Sequence, residues 1–197
     1  MAKKNSKSTK KLTGIGAFLT LVLSLAALCL GLFLTNVNQT TWAANNAVGT
    51  NEIMGAILGF GFSKTVPSGS DVPEWATFPG VKISTADGNM VYTAPSHAGT
   101  MIVFILMAAA LILTILALLF KKSKFGALLL VVAGLCLVAS GIMAFFPMQM
   151  CGFESKLTSS FKTGVEYTLG IGSILGGCFG CVGGVLGTGV GAVALLK

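Results

Sequence analysis

Two cysteines at Cys-x-x-Cys spacing, Cys178 and Cys181, lie in the glycine-dense stretch GGCFGCVGGVLGTGVG (176–191). Two thiols at this spacing can form a reversible disulfide, as in thiol oxidoreductases. Cys151 lies outside the long apolar runs and is the one thiol there that could act as a redox partner. A catalytic thiol is normally activated by water, a helix N-terminus or a cation, whereas this pair lies well inside an apolar run. We therefore treat redox chemistry as an alternative function.

The same cysteines make a poor metal site. Structural zinc takes four ligands, and beyond the pair the sequence offers only the distant Cys151 and the lone His97, which we expect to be a hydrated interfacial residue. There is no Ser-His-Asp set, no paired carboxylates, no phosphate-binding loop and no HExxH motif in the sequence. The sequence predicts a non-enzymatic protein with no metal and no cofactor, in which the cysteines are small apolar packing residues.

The elements that carry these cysteines belong to a membrane protein. Hydrophobic residues make up 54% of the 197 residues and charged residues 10%, and the mean hydropathy is +0.87. Four segments contain no charged residue and no histidine, and each reaches the ~20 residues that a helix needs to cross a bilayer. We predict an all-α membrane protein, a four-transmembrane-helix bundle with spans at 13–35, 100–120, 125–146 and 168–196.

The lysines predict the orientation. Nine of the thirteen lie in the N-terminal segment 1–12, in the turn 121–124 or at Lys197, and all six acidic residues lie in the other two loops. Under the positive-inside rule both termini are cytoplasmic, in a multi-pass protein of the plasma (cytoplasmic) membrane. No basic stripe with aromatic residues accompanies the net charge of +7, so we expect no nucleic-acid partner. A cleaved signal peptide is the alternative for the first span, although its apolar run exceeds the usual length.

The two extracellular loops differ in size. The first, 36–99, is larger, and its stretch IMGAILGFGF (53–62) is too short to span, so we predict a short interfacial helix. The stretch VKISTADGNMVYT (81–93) alternates apolar and polar residues around ADGN, which predicts a β-hairpin. The second loop, 147–167, is too short for a domain.

The glycines of the fourth span predict a helix-packing face of the glycine-zipper type. At about 100° per residue, seven of them fall within an arc of about 120°, and both cysteines lie outside it. Small residues allow the close approach that drives helix association in lipid. The partner is either another span of the same chain, with Gly14, Ala17, Ser24, Ala27 and Gly31 of the first span as a complementary surface, or the same helix of a second copy. The seven glycines are Gly172, Gly176, Gly180, Gly183, Gly184, Gly187 and Gly191.

Two families share limited features with this chain. A Cys-x-x-Cys pair in a four-span protein resembles the thiol oxidoreductases related to vitamin K epoxide reductase. Those enzymes also use a shuttle pair of cysteines in the large outer loop, and 36–99 contains none. Four spans with a larger first outer loop resemble claudin-type proteins in shape alone, because the claudin signature of a Trp, a Gly-Leu-Trp and two cysteines is absent.

The spans carry no carboxylate, lysine or histidine, which argues against a pump or a secondary transporter. We expect an accessory or structural tetraspan subunit that acts through helix packing and through protein-protein interaction of its extracellular loops. Its partners would be the lipid bilayer and other membrane proteins or a second copy. A thiol oxidoreductase is the alternative, and an oligomeric channel is the third.

Overall fold

The computed structural model describes residues 2–72, 74–77, 79–121, 123–158 and 162–196. Four of its helices are long and apolar enough to cross a membrane, which confirms the four predicted spans. The predicted turn residue Lys122, the terminal Lys197 and residues 159–161 of the second loop lie outside the described residues. The four helices are α1 (Ala2–Phe33, apolar from Thr13), α3 (Ala98–Leu119), α4 (Lys124–Met143) and α6 (Ile171–Leu196).

The prediction of an all-α protein is wrong between the spans, where two antiparallel sheets form. One has the strand order β2-β1-β7-β6 and the other the order β3-β5-β4. The first sheet was missed because its strands are rich in Asn, Thr and Gly and carry few large apolar residues. The strands are β1 (Thr35–Ala43), β2 (Asn46–Met54), β3 (Phe62–Pro67), β4 (Lys82–Ala86), β5 (Asn89–Ala94), β6 (Lys156–Leu157) and β7 (Gly164–Leu169).

Two tight hairpins organise the first loop. β4 and β5 meet at Asp87 and Gly88, whose φ angles of 49° and 78° are those of a two-residue primed turn. β1 and β2 meet in the same way at Ala44 and Asn45, with φ angles of 47° and 68°. Alanine rarely adopts a positive φ, so the sequence carries only a weak signal for the second hairpin.

The second loop is part of the same sheet as the first. β7 pairs with β1 from Val37↔Leu169 to Trp42↔Gly164, and β6 pairs with β7. At the end of this ladder, the backbone N–H of Gly170 donates to the Asn36 carbonyl at 2.9 Å. A side chain on Gly170 would collide with the Thr35 carbonyl oxygen, so the close approach of the two chains requires glycine there.

The described part of the loops also contains two short α-helices, α2 (Gly55–Phe60), within the predicted segment 53–62, and α5 (Pro147–Cys151), and one 3-10 turn at Glu74–Thr77. The chain divides into two compact units. The helix unit comprises Met1–Leu30, Val103–Ala144 and Leu175–Lys197, and the strand unit comprises Gly31–Ile102 and Phe145–Ile174. The strand unit has its own core, formed by Val37, Ile53, Leu58, Phe153 and Tyr167.

Candidate functional site: the glycine face of the last helix

All seven glycines singled out in the sequence lie in α6, and all seven are buried. The opposite side of the helix is exposed at Val182 (58%) and Val185 (68%). Cys178 is exposed as well, and Cys181 is partly buried. The structure therefore gathers the glycines on one packed face of α6 and leaves Cys178 outside it.

Within the helix unit, part of this face lies directly against the backbone of α4. A methyl group placed on Gly184 would lie 2.6 Å from the Gly134 carbonyl oxygen and 2.6 Å from the Val138 nitrogen. One placed on Gly180 would lie 3.0 Å from Cα of Gly141. Distances this short leave no room for a side chain, so the two backbones are in contact.

The contact is reciprocal, because α4 contributes glycines of its own. A methyl group on Gly134 would lie 2.7 Å from the Gly184 carbonyl oxygen, and one on Gly141 would lie 2.7 Å from the Cys181 nitrogen. Near the end of α6, one on Gly191 would lie 2.9 Å from the carbonyl oxygen of Ala127. We call the five residues of this contact the glycine seam: Gly134, Gly141, Gly180, Gly184 and Gly191.

Two further glycines of the face, Gly183 and Gly187, turn toward α1. A methyl group on Gly183 would lie 2.9 Å from Cβ of Leu23, and one on Gly187 would lie 2.9 Å from Cγ2 of Thr20. On the α1 side of the same contact, a methyl group on Gly16 would lie 2.7 Å from the Val190 side chain of α6. The single face seen in the sequence is thus shared between two neighbouring helices of the same chain.

The complementary surface predicted on the first span matches this contact only in part. Ala17, Ser24 and Ala27 are buried, whereas a methyl group on Gly14 would meet nothing within 4 Å. The closest α1 neighbours of the glycines include Thr20 and Leu23, which the sequence argument did not name. Gly134 and Gly141 of α4 were not predicted either, although they lie seven residues apart and so share a helix face.

Buried hydroxyl groups in the helix unit bond mainly to their own helices. Thr20 Oγ1 donates to the Gly16 carbonyl at 2.9 Å, and Thr114 Oγ1 donates to the Ala110 carbonyl at 2.7 Å. Ser140 Oγ donates to the Leu137 carbonyl at 3.1 Å. These local bonds satisfy the hydroxyls within apolar surroundings and do not link one helix to the next.

All five cysteines are free thiols. Cys178 and Cys181 lie on one helix, and Cys151, their predicted redox partner, belongs to α5 of the strand unit. Its Sγ lies 3.4 Å from Thr100 Oγ1, and burial raises the pKa of the Cys151 thiol. A raised pKa keeps the thiol protonated at neutral pH and makes it a poor nucleophile.

His97 lies in the strand unit with its ring edge-on to Phe153, the centroids being 5.6 Å apart. Burial lowers the pKa of its imidazole. Together with Ile53, Leu58 and Pro95, these two rings line a cavity of about 20 Å³, room for roughly one water molecule. Among the described residues, no three His, Cys, Asp or Glu side chains are grouped so as to hold a metal ion.

A polar cluster joins the tip of the β1–β2 hairpin to the second loop. Glu166 accepts a hydrogen bond from Trp42 Nε1 at 2.8 Å and forms an ion pair with Lys162 at 3.2 Å. The Lys162 ammonium lies 4.1 Å from the centroid of a Trp42 ring. Behind it, the backbone N–H of Asn45 donates to the Lys162 carbonyl at 3.1 Å. The charged and polar groups of this cluster are paired with each other, so we interpret the cluster as a structural contact between the two loops.

Comparison with protein-family models and with curated proteins finds no match for this chain. The arrangement of its residues is therefore the basis for a functional conclusion. The described structure contains a backbone-to-backbone helix seam, an aromatic core between two loops, and polar groups that mostly bond to their own neighbours.

Proposed function

We propose that this chain is a non-enzymatic tetraspan membrane protein, an accessory or structural subunit whose strand unit makes contacts with other membrane proteins. The observation that carries this proposal is the β1–β7 ladder, which combines both outer loops into one sheet over a shared aromatic core. A loop that served only to connect two helices would not need such a core. A preformed sheet instead presents a defined surface at little entropic cost.

Two strand edges provide that surface. The first five residues of β2 and all five residues of β4 are exposed. Val48 on β2 is 63% exposed and Ile83 on β4 is 56% exposed. Among the described residues each of these strands pairs with another strand on one side only, so its outer edge can pair with a strand of a partner.

The glycine face supports the structural half of the proposal. Seam contacts hold α6 against α4, and the contacts of Gly183 and Gly187 hold it against α1. A face used in this way inside one chain leaves little for a second copy, so we assign protein contacts to the strand unit. The lysine distribution supports an orientation with this unit outside the cell and both termini in the cytoplasm.

Site-specific photo-crosslinking in native membranes tests the proposal. A photoreactive phenylalanine analogue at Val48 or at Ile83 should give discrete adducts of higher mass, whose protein partners mass spectrometry then identifies. The matched control is Val185 in α6, which is 68% exposed and faces away from the glycines; it should crosslink to lipid. Protein adducts at Val185 alone, with none at either strand position, would contradict the proposal.

A further inference from the structure

A short apolar segment of the strand unit is tied to the points where two spanning helices end. The backbone N–H of Gly55, the first residue of α2, donates to the Leu34 carbonyl at 3.3 Å, one residue beyond α1. The backbone N–H of His97, one residue before α3, donates to the Leu58 carbonyl at 3.0 Å. These two hydrogen bonds join α2 to the residue after the end of α1 and to the residue before the start of α3. Within the strand unit, α2 therefore lies level with these two helix ends.

The segment has a packed side and an exposed side. Gly55, Leu58 and Gly59 are buried, and Leu58 belongs to the core of the strand unit. Large apolar side chains are exposed in and beside α2 and at the last residue of α1. We call these four residues the apolar rim: Phe33 (67%), Met54 (51%), Phe60 (55%) and Phe62 (49%).

Charged residues flank the segment without entering it. Residues 53–62 contain no charge, whereas Glu52 precedes them and Lys64 follows them. Phe62 and Lys64 lie two residues apart on β3 and therefore on the same face, about 7 Å from each other. An apolar side chain followed at that distance by a lysine matches the change from acyl chains to phosphate groups across a bilayer surface.

We propose that the apolar rim is a lipid-contact surface, inserted between the acyl chains and head groups of the bilayer that α1 and α3 cross. The ends of spanning helices lie at this boundary, and side chains held at the same level meet it as well. Exposed Phe and Met side chains are favourable there, as they are on interfacial amphipathic helices. The rim thus joins the strand unit to a phospholipid surface, whatever protein the strand edges contact.

Tryptophan scanning with lipid-borne quenchers tests this contact. The full-length chain carrying Phe60→Trp is reconstituted into phosphatidylcholine vesicles whose acyl chains are brominated near the head group. The control is Val48→Trp, at a position that is 63% exposed against 55% for Phe60 but lies six residues along β2 from Met54, about 20 Å of strand. The signal of the unmodified protein, which carries Trp42 and Trp75, is subtracted from that of each variant. We expect the added fluorescence at position 60 to be quenched roughly threefold more than at position 48, and aqueous iodide to reverse that order.

Met54→Trp repeats the measurement at a second rim position, which keeps the test open if the change at Phe60 prevents folding. Elution volume and circular dichroism establish that each variant is folded. Equal lipid quenching at the rim and at position 48 would overturn the proposal. Protection of the rim tryptophan from both the lipid and the aqueous quencher would also overturn it, because other residues of this chain or a second copy would then cover the surface.

Discussion

The helix unit buries many more small side chains than the strand unit does. Six alanines of the helix unit are at most 3% exposed, namely Ala17, Ala27, Ala110, Ala117, Ala127 and Ala133, while large residues such as Ile112 and Val185 point outward. In the strand unit, large residues such as Ile53, Phe153 and Tyr167 form the core.

The difference follows from the solvent that each unit meets. Lipid chains are as apolar as a leucine side chain, so burying large side chains gives spanning helices little net gain, and close backbone contact stabilises their packing instead. In water the same burial removes apolar area from solvent and is strongly favourable. The buried positions of the helix unit therefore include many small residues beside large ones such as Met107, Leu130 and Leu137, whereas large residues form the strand core.

The largest expected loss of stability comes from removing a large side chain from the core of the strand unit. Phe153 is 8% exposed and stacks on Tyr167 with ring centroids 5.1 Å apart. Phe153→Ala should cost about 3–5 kcal/mol of unfolding free energy. Near-UV circular dichroism during urea titration measures it. Ile83→Ala, on an exposed strand, is the control and should stay within about 0.5 kcal/mol of the unmodified protein.

Adding a large side chain to the glycine seam tests the packing of the helix unit. Gly184→Leu should cost about 3 kcal/mol, the upper part of the range for overpacked cores, because even a methyl group would meet backbone atoms of α4. The fraction of monodisperse protein left after heating in detergent measures the loss. Gly189→Leu is the matched control on the same helix, since Gly189 is exposed and a methyl group there would meet nothing within 4 Å. Equal stability of both variants would refute the packing role of the seam.

A smaller effect of pH should be confined to the strand unit. Burial lowers the pKa of His97 from its ordinary value of 6.5, so the unfolded chain binds the proton more tightly than the folded one. The stability that comes from the neutral ring is fully present above pH 6.5 and is lost as the pH falls through the folded pKa. The strand unit should melt at a lower temperature at about pH 5 than at about pH 7.5, and His97→Gln should reduce that difference.

The smallest effect is expected for Cys178→Ser, which alters an exposed position outside the glycine face. Its stability should change by less than about 0.5 kcal/mol. The same position decides between packing and redox chemistry. A membrane-permeant maleimide should label Cys178 and Cys181 as free thiols in native membranes. A disulfide between them that responds to the quinone pool would instead establish the alternative function of a thiol oxidoreductase.

Local signals explain what the sequence predicts correctly. Each span is a continuous run without charge, and the β4–β5 hairpin centres on the adjacent residues Asp87 and Gly88, so both can be identified from short windows. The ladder between β1 and β7 has no such window, because its strands come from distant parts of the chain. Thr168 and Leu169 were assigned to the last span for this reason, although they end β7.

For the glycine face, too, the sequence predicts the local arrangement but not the contact with a distant part of the chain. Its angular position on α6 follows from helix periodicity alone, since the spacing of residues fixes their direction around the axis. Which helix it meets depends on tertiary packing. The small residues of the first span suggested α1, whereas the tightest contacts are with Gly134 and Gly141 of α4. Comparing the angular positions of small residues on all four spans would have identified α4 as an equal candidate.

The β1–β7 ladder also constrains the order in which the protein forms. β1 follows α1 directly and is synthesised early, but its partner strand immediately precedes the last span. The β1–β2 hairpin therefore has one open edge until nearly the whole chain has left the ribosome. Contacts this distant in sequence form slowly, and an open edge can pair with other chains in the meantime. β7 is complete before α6 begins, so a chain truncated before β7 would lack the β1–β7 ladder as well as its last span.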